Sequence, residues 1–331
     1  LSMTDAATIV DADFTNITSL EVIEGSAALT ITLGALAQAA GVTTLTTTGS
    51  STGTYTLGSG YTNDISIALA SSSTESVTAT AYTGNLTVTG DIDELASTDT
   101  IAGGSTGTTT LKFDGNGGTL TGDETLITGV NTMELSKDAN YNITTAEAHV
   151  ADSATLTINA LKLTTKTLTF DGSAENDGNF IINATGNKAH KITLGQGADT
   201  YSSASTGADI VTATAGNNTI STGDGADLIT GGTGADNITS GAGADEITFL
   251  TANLDSSDTI DGGSGNDILY MSGDGTFIDA DFTNVSNVEI IDGNTTTSNI
   301  TATLGTNAAA AGITTFKFSD TGADETLTVA A

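Results

Sequence analysis

The chain contains no cysteine, no proline and no tryptophan, and only seven of its 331 residues are lysine or arginine. Without cysteine it can form neither a disulfide framework nor a thiolate metal site. It has no apolar run near the ~20 residues that a membrane-spanning helix needs. Its first ten residues, LSMTDAATIV, lack the basic and hydrophobic regions of a secretory signal. The composition therefore predicts a protein that does not cross a membrane and is stabilised by something other than disulfides.

The charge is strongly one-sided, with 40 acidic residues against seven basic ones and a formal net charge of −33. Nucleic acids and anionic membrane surfaces attract basic patches, so both are excluded as natural partners. Low hydrophobicity with high net charge is also typical of disordered chains. Here, however, the aliphatic residues alternate with threonine, which favours β-structure. We expect a folded β protein whose carboxylates need cations.

The local pattern predicts an all-β fold. Residues 28–34, 85–90 and 154–163 alternate apolar side chains with threonine or asparagine, which is the period of a half-buried strand. Two alanine-rich stretches, 35–41 and 306–312, predict short helical turns that end at glycine. No other stretch favours helix.

A long repeat divides the chain into modules. VDADFTNITSLEVIEG at 10–25 returns as IDADFTNVSNVEIIDG at 278–293, and a weaker copy lies at 127–135. Because the first and last residues fall inside modules, we expect a segment of a longer repetitive protein. The predicted segments are a partial module at 1–98, the β-strand-repeat part of a second module at 99–193, a roll at 194–270 and a truncated module at 271–331.

A second repeat has a period of nine residues and carries the candidate chemistry. Each unit places an acid or amide two residues after a glycine and two residues before a large apolar side chain. Glycine permits the tight turn, and the apolar residue marks a short strand. The seven acid or amide positions are Asp199, Asp209, Asn218, Asp227, Asp236, Asp245 and Asp267. Because units 18 residues apart should stack, we expect one row of Asp209, Asp227 and Asp245 and another of Asp199, Asn218 and Asp236.

Stacked carboxylates repel one another unless a cation lies between them. Carboxylate and carbonyl oxygens are the ligands that calcium prefers, in numbers and geometries that magnesium does not accept. The pattern offers no nitrogen or sulfur ligand for zinc. It therefore predicts several Ca²⁺ ions, roughly five, which would offset about ten negative charges.

GGTGADNIT at 231–239 and GGSGNDILY at 262–270 resemble, at every defined position, the nonapeptide GGxGxDxUx of calcium-binding β-rolls in RTX proteins. The resemblance covers about 194–270 and implies a right-handed calcium β-roll. It also implies that the aspartates and the carbonyls of the motif glycines are the ligands. These glycines are Gly195, Gly197, Gly223, Gly225, Gly232, Gly234, Gly241, Gly243, Gly263 and Gly265. Two units depart from the pattern, because Asn218 is a neutral ligand and Ser205 replaces a glycine.

The long modules resemble the β-strand-repeat proteins of bacterial surfaces, including S-layer proteins of the RTX-secreted kind. This resemblance implies a calcium-dependent extracellular lattice and export by type I secretion. Together with the repeats, it predicts an elongated parallel β-solenoid with a roll at about 194–270, flanked by further β-strand-repeat layers. The expected function is a self-assembling building block of a surface layer or filament. Expected partners are further copies of the chain and cell-surface polysaccharide.

Two other functions fit the same repeats. One is a calcium-rigidified stalk of a large secreted adhesin or virion fibre, which would remain solitary where a lattice protein makes lateral contacts. The other is a secreted enzyme whose catalytic domain lies elsewhere and whose roll serves export; the long modules argue against it.

The chain itself shows no catalytic motif. Its two histidines, His149 and His190, are far apart, neither lies in an HExxH motif, and His149 is expected at the surface. We therefore predict that these residues do not form an enzyme.

Overall fold

The structure is a computed structural model, and it describes residues 1–49, 52–70, 74–95, 99–121, 127–293, 299–317 and 326–329. It divides into two compact units, Leu1–Lys162 and Leu163–Ala331. The described strands of each unit pair in parallel, and each unit is a β-solenoid with very little helix. The predicted all-β parallel solenoid is therefore confirmed. The division into four segments remains a prediction.

The first unit is built from two main parallel sheets. Sheet A contains Ser2–Met3, Val22–Gly25, Thr44–Thr47, Ile65–Ala68, Leu86–Gly90, Thr109–Phe113, Thr132–Leu135 and Thr155–Ala160, in that order. Sheet B contains Ala7–Ile9, Leu29–Leu33, Gly53–Leu57, Glu75–Thr78, Thr100–Ala102 and Ile127–Thr128. A further pair joins Gly118–Leu120 to Tyr141–Thr144. The chain alternates between the sheets, so each coil adds one strand to each.

The second unit repeats this plan. Sheet C contains Asn179–Gly186, Thr200–Ser205, Thr219–Gly223, Asn237–Thr239, Thr259–Asp261 and Val285–Ser286. Sheet D contains Leu168–Asp171, Lys191–Thr193, Ile210–Thr212, Leu228–Thr230, Glu246–Leu250, Ile268–Ser272, Ile290–Asp292 and Thr315–Lys317. Ala242–Gly243 pairs with Ser264–Gly265, and sheet E joins Gly275–Phe277, Ile300–Leu304 and Thr326–Val329.

Period-two alternation decides which side chains enter the core. In Leu29–Leu33 the leucines and the isoleucine are buried, whereas the intervening Thr30 and Thr32 are exposed or half-buried. In the nonapeptide region the apolar residue of each unit is buried as well, and the set is Tyr201, Val211, Ile220, Ile229, Ile238, Ile247 and Leu269. One inward side chain per short strand is enough because stacked coils share a continuous core.

The number of residues in each coil changes along the chain. In the first unit, paired strand residues in neighbouring coils lie 21 to 26 residues apart. In the second unit the separation shortens to 19 and then to 18 residues, and it lengthens again to 22. A coil of 18 residues holds two nonapeptides, so alternate units occupy the same side of the solenoid.

The long repeat forms a helix cap that acts between coils. Asp11 begins the 3-10 helix Asp11–Phe14, and its Oδ1 accepts the N–H groups of Gly34 and Ala37 at 2.8 Å each. These N–H groups begin the α-helix Ala35–Ala40 in the next coil. The carboxylate therefore satisfies helix donors that have no partner within the helix.

The second copy of the long repeat has the same arrangement. Asp279, in the 3-10 helix Asp279–Phe282, accepts N–H groups from Gly305 at 2.7 Å and Ala308 at 2.9 Å, at the start of Thr306–Ala310. Gly41 and Gly312 follow the two helices with φ of +97° and +98°. Both predicted helical turns are confirmed.

Two further 3-10 helices, Ile92–Glu94 and Glu147–His149, are described. Within the described ranges no helix has the length and apolar character needed to cross a membrane.

Replacing Asp11 by alanine should lower the free energy of unfolding by about 1–2 kcal/mol, the usual cost of losing an N-cap side chain. Asp5→Ala is the matched control, because Asp5 is an exposed acid of the same unit. Chemical denaturation of both variants would measure the difference. Equal losses of stability in the two variants would show that the Asp11 cap does not stabilise the fold.

Candidate metal sites

The acid and amide positions of the nonapeptides lie in two rows, each at the point where the chain enters a strand. The first row precedes strands of sheet D and consists of Asp209, Asp227, Asp245 and Asp267. The second row precedes strands of sheet C and contains Asp199, Asn218 and Asp236. All seven side chains are buried. The structure therefore brings the residues of each row together across successive coils.

Within the first row, one oxygen of each carboxylate accepts a hydrogen bond from a backbone N–H of the preceding coil. The N–H of Asp209 donates to Oδ1 of Asp227 at 2.7 Å, and the N–H of Asp227 donates to Oδ1 of Asp245 at 2.8 Å. The N–H of Asp245 donates to Oδ1 of Asp267 at 2.9 Å. Hydrogen bonds to a carboxylate are stronger than neutral ones, so they hold the coils in register.

The rows are longer than the nine-residue pattern predicts. Asp258 extends the second row by accepting the N–H of Asp236 at 2.9 Å, and Glu289 extends the first row by accepting the N–H of Asp267 at 2.8 Å. Both lie 22 residues after their donors. The sequence carried a signal for them, since each acid stands two residues before a buried isoleucine.

A histidine stands in the first row before Asp209. The backbone N–H of His190 donates to Oδ1 of Asp209 at 2.8 Å. The ring Nδ1 of His190 accepts the backbone N–H of Leu168 at 3.0 Å. Its Nε2 lies 3.0 Å from the carbonyl oxygen of Thr185 and donates to it. His149 is buried as well, so its predicted surface position is wrong. It is the last residue of the 3-10 helix Glu147–His149, and its Nδ1 accepts the N–H of Ala146 at 3.3 Å.

The second oxygens of the first row are the unusual feature of this region. Oδ2 of Asp227, Asp245 and Asp267 is buried and has no hydrogen-bond partner among the described residues. At Asp209 the corresponding oxygen accepts the hydroxyl of Tyr201 at 2.8 Å. A buried carboxylate oxygen without a donor or a cation is strongly unfavourable. Three such oxygens in one row mark a place for positive charge.

The titration of three first-row carboxyls, those of Asp209, Asp227 and Asp267, agrees with this electrostatic picture. Burial raises the pKa of the Asp227 and Asp267 carboxyls to about 6, and the neighbouring carboxylates add to the effect. Burial also raises the pKa of Asp209. Without a cation, these carboxyls hold protons more tightly than they would in the unfolded chain.

The raised pKa values set a pH dependence for the protein in the absence of divalent cations. A carboxyl near pKa 6 when folded and near 4 when unfolded stabilises the fold below pH 4, and this stabilisation is lost as the pH rises through 6. We expect the free energy of unfolding to fall by an amount on the order of 2 kcal/mol for each of these two carboxyls between pH 4.5 and 7.5. Denaturation in a chelator would measure it. The Asp227→Asn/Asp267→Asn variant should show a smaller change, and equal changes would contradict the assignment.

Glycines in the turns before these aspartates stack closely on the turns of the preceding coil. A β-carbon on Gly243 would lie 1.3 Å from the carbonyl oxygen of Gly225, and one on Gly265 would lie 1.4 Å from that of Gly243. A β-carbon on Gly241 would lie 1.8 Å from the carbonyl oxygen of Gly223. Only glycine fits such close stacking, and φ at Gly243 is +153°.

The remaining candidate glycines occupy equivalent turns. Gly263 stacks on Gly241, while Gly195, Gly197, Gly232 and Gly234 lie in turns that precede residues of the second row.

The donor set is made of carboxylate and carbonyl oxygens in irregular turns. Such oxygens suit a hard cation that accepts six to eight ligands, and calcium is the common ion of that kind. The buried oxygens of the first row supply the negative charge that such an ion needs. The residues present therefore fit calcium.

Comparison with known proteins agrees with this fit. The model of the RTX calcium-binding nonapeptide repeat, which spans four copies, matches residues 203–238, 221–249 and 254–274. This part of the chain is an RTX β-roll. Neither the curated proteins nor the solved structures include a match to the chain. The matched residues include six of the seven acid and amide positions, from Asp209 to Asp267, but not Asp199.

Proposed function

We propose that the protein is a self-assembling building block of an extracellular surface layer or filament, and that calcium stabilises it. The observation that carries the proposal is the set of buried, unpaired carboxylate oxygens at Asp227, Asp245 and Asp267, in coils that match calcium-binding repeats. Calcium would be held there by these carboxylates and by the carbonyls of the stacked turn glycines. The bound ions supply positive charge that removes the repulsion between carboxylates.

Calcium binding of this kind couples folding to the environment. Ligand carboxylates must be deprotonated and brought together, so the free energy of binding contributes to folding. A chain with a net charge of −33 gains most from divalent cations where they are abundant. RTX repeat proteins are typically exported by type I secretion, which would place this chain outside the cell, where calcium is plentiful.

Assembly would use the surfaces of the solenoid. Thr326–Val329 is an edge strand of sheet E in the described part of the chain, and it exposes Leu327 and Val329. An exposed edge with apolar side chains favours pairing with a further strand, which either a following coil of a longer chain or a second copy would supply. Neutralisation by calcium would also allow acidic copies to pack side by side. Further copies of the chain are the proposed partners, and cell-surface polysaccharide is a second.

The alternative is a calcium-rigidified stalk of a large secreted adhesin or virion fibre. The two copies of the capped module, around Asp11 and Asp279, favour it because they show one structural device used repeatedly along the chain. A stalk needs stiffness and no lateral contact. In both cases the role of these residues is structural and not enzymatic.

Electron microscopy of the purified chain in millimolar calcium, and again after chelation, separates these functions. Sheets or filaments that form only with calcium are expected. Solitary rods in calcium would favour the stalk. Assemblies that persist unchanged after chelation would contradict the role of calcium. The Asp245→Asn variant, which alters only the first row, is the control for effects of the chelator itself.

A further inference from the structure

The aspartates of the second row follow the same pattern as those of the first, yet both oxygens of each carboxylate already accept hydrogen bonds. Oδ2 of each aspartate in this row accepts an N–H from its own turn. The donors are Gly195 for Asp199 at 2.9 Å, Gly232 for Asp236 at 3.2 Å and Asp255 for Asp258 at 3.0 Å. The free oxygens that mark the first row are therefore not found at these three aspartates. The two sides of the roll differ in electrostatics although their sequences follow one pattern.

Asn218 completes the second row in a different way. Its Oδ1 accepts the N–H of Asp199 at 3.1 Å, which is the bond that an aspartate makes at the equivalent place. Its Nδ2 points at three oxygens, namely the carbonyls of Ala215 at 3.0 Å and Gly216 at 3.2 Å and Oδ1 of Asp236 at 3.1 Å. The side chain is buried, with 1% of its surface exposed.

The amide nitrogen of Asn218 is surrounded by the kinds of oxygen that surround a bound cation. Two turn carbonyls and a carboxylate from the next coil are the oxygen types that calcium takes as ligands. The NH₂ group has a partial positive charge and two hydrogens, one of which is shared between two of these three oxygens. An aspartate at this position would instead place a carboxylate oxygen against three other oxygens.

We propose that the Asn218 amide stands where a calcium ion would otherwise lie, and that calcium binds along the first row and not along the second. This inference rests on the proposed calcium function and refines it. In the second row, hydrogen bonds within the roll then satisfy the carboxylates, whereas in the first row the carboxylates need a metal ion. Roughly five ions are expected if both rows bind, and about half as many if only the first row does.

Replacing Asn218 by aspartate tests the inference, with Asn217→Asp as the matched control. Asn217 is the preceding residue and is exposed, and its Oδ1 accepts the N–H of Ala235 at 2.9 Å, a bond that aspartate also makes. Both variants add one negative charge to the same turn. Their melting temperatures would be measured in a chelator and in millimolar calcium, and bound calcium would be counted by equilibrium dialysis.

In the chelator, Asn218→Asp should melt about 10 °C below wild type, because it buries a carboxylate without a partner. Calcium should restore its melting temperature and add one bound ion, whereas Asn217→Asp should change little in either condition. Equal melting temperatures for the two variants in the chelator would overturn the inference. A loss at Asn218→Asp that calcium does not restore would also overturn it. Wild type that binds no calcium would instead refute the proposed function, while the comparison in the chelator would still decide the role of the amide.

Discussion

Asp245→Asn is expected to lower the affinity of the roll for calcium by about 10- to 100-fold. Oδ2 of Asp245 is one of the three unpaired oxygens, and its row neighbours are Asp227 and Asp267. Losing one charged ligand removes on the order of 1.5–3 kcal/mol of interaction. Titration calorimetry with calcium at neutral pH would measure the change.

The same substitution should have the opposite effect when calcium is absent. An amide at position 245 removes one buried charge and offers hydrogens to nearby oxygens, as Asn218 does in the second row. Asp245→Asn should therefore melt above wild type in a chelator and below it in calcium. Asp224→Asn is the control, because Asp224 is an exposed acid in a nonapeptide of the same roll. An equal loss of calcium affinity in the two variants would contradict a specific role for the first row.

Gly243→Ala is expected to destabilise the roll by about 3 kcal/mol or more. The added methyl group would clash with the backbone carbonyl of Gly225, which cannot move without breaking the stacked turns. The alanine backbone would also have to adopt a φ of +153°, which is unfavourable for any residue with a β-carbon. Because the neighbouring carbonyls are proposed ligands, calcium affinity should fall as well. Denaturation in calcium would measure the loss of stability.

Gly273→Ala separates the steric effect from the backbone effect. Gly273 also has a positive φ, +77°, but a β-carbon there would meet only the Leu250 side chain at 3.5 Å. Gly273→Ala should therefore lower the free energy of unfolding by only ~1 kcal/mol, the cost of an unfavourable backbone conformation. If Gly243→Ala costs no more than Gly273→Ala, the close stacking of the turns is not what requires glycine.

The sequence predicted the parts of the fold that repeat. Alternation of aliphatic residues with threonine identified the strands, and the nine-residue period identified both the roll and the grouping of Asp227 with Asp245. These succeeded because short strands and tight turns are local, and each unit carries its own glycines and its own inward side chain. The helical turn ending at Gly41 was also a local signal.

The sequence did not predict features that depend on the register and the contacts between neighbouring coils. Asp258 and Glu289 were missed because the coil lengthens from 18 to 22 residues, which interrupts the period without interrupting the rows. The cap that Asp11 provides for a helix in the next coil needs the register between coils, which no local pattern contains. The difference between the aspartates of the two rows was also hidden, because it lies in turn geometry and not in residue type.

The most direct test of calcium binding by the first row is to locate the ions. Crystals of the chain grown in millimolar calcium would be measured at a wavelength where calcium scatters anomalously. We predict anomalous peaks beside the free carboxylate oxygens of Asp227, Asp245 and Asp267. A well-ordered roll with no peak beside these three carboxylates would contradict the account.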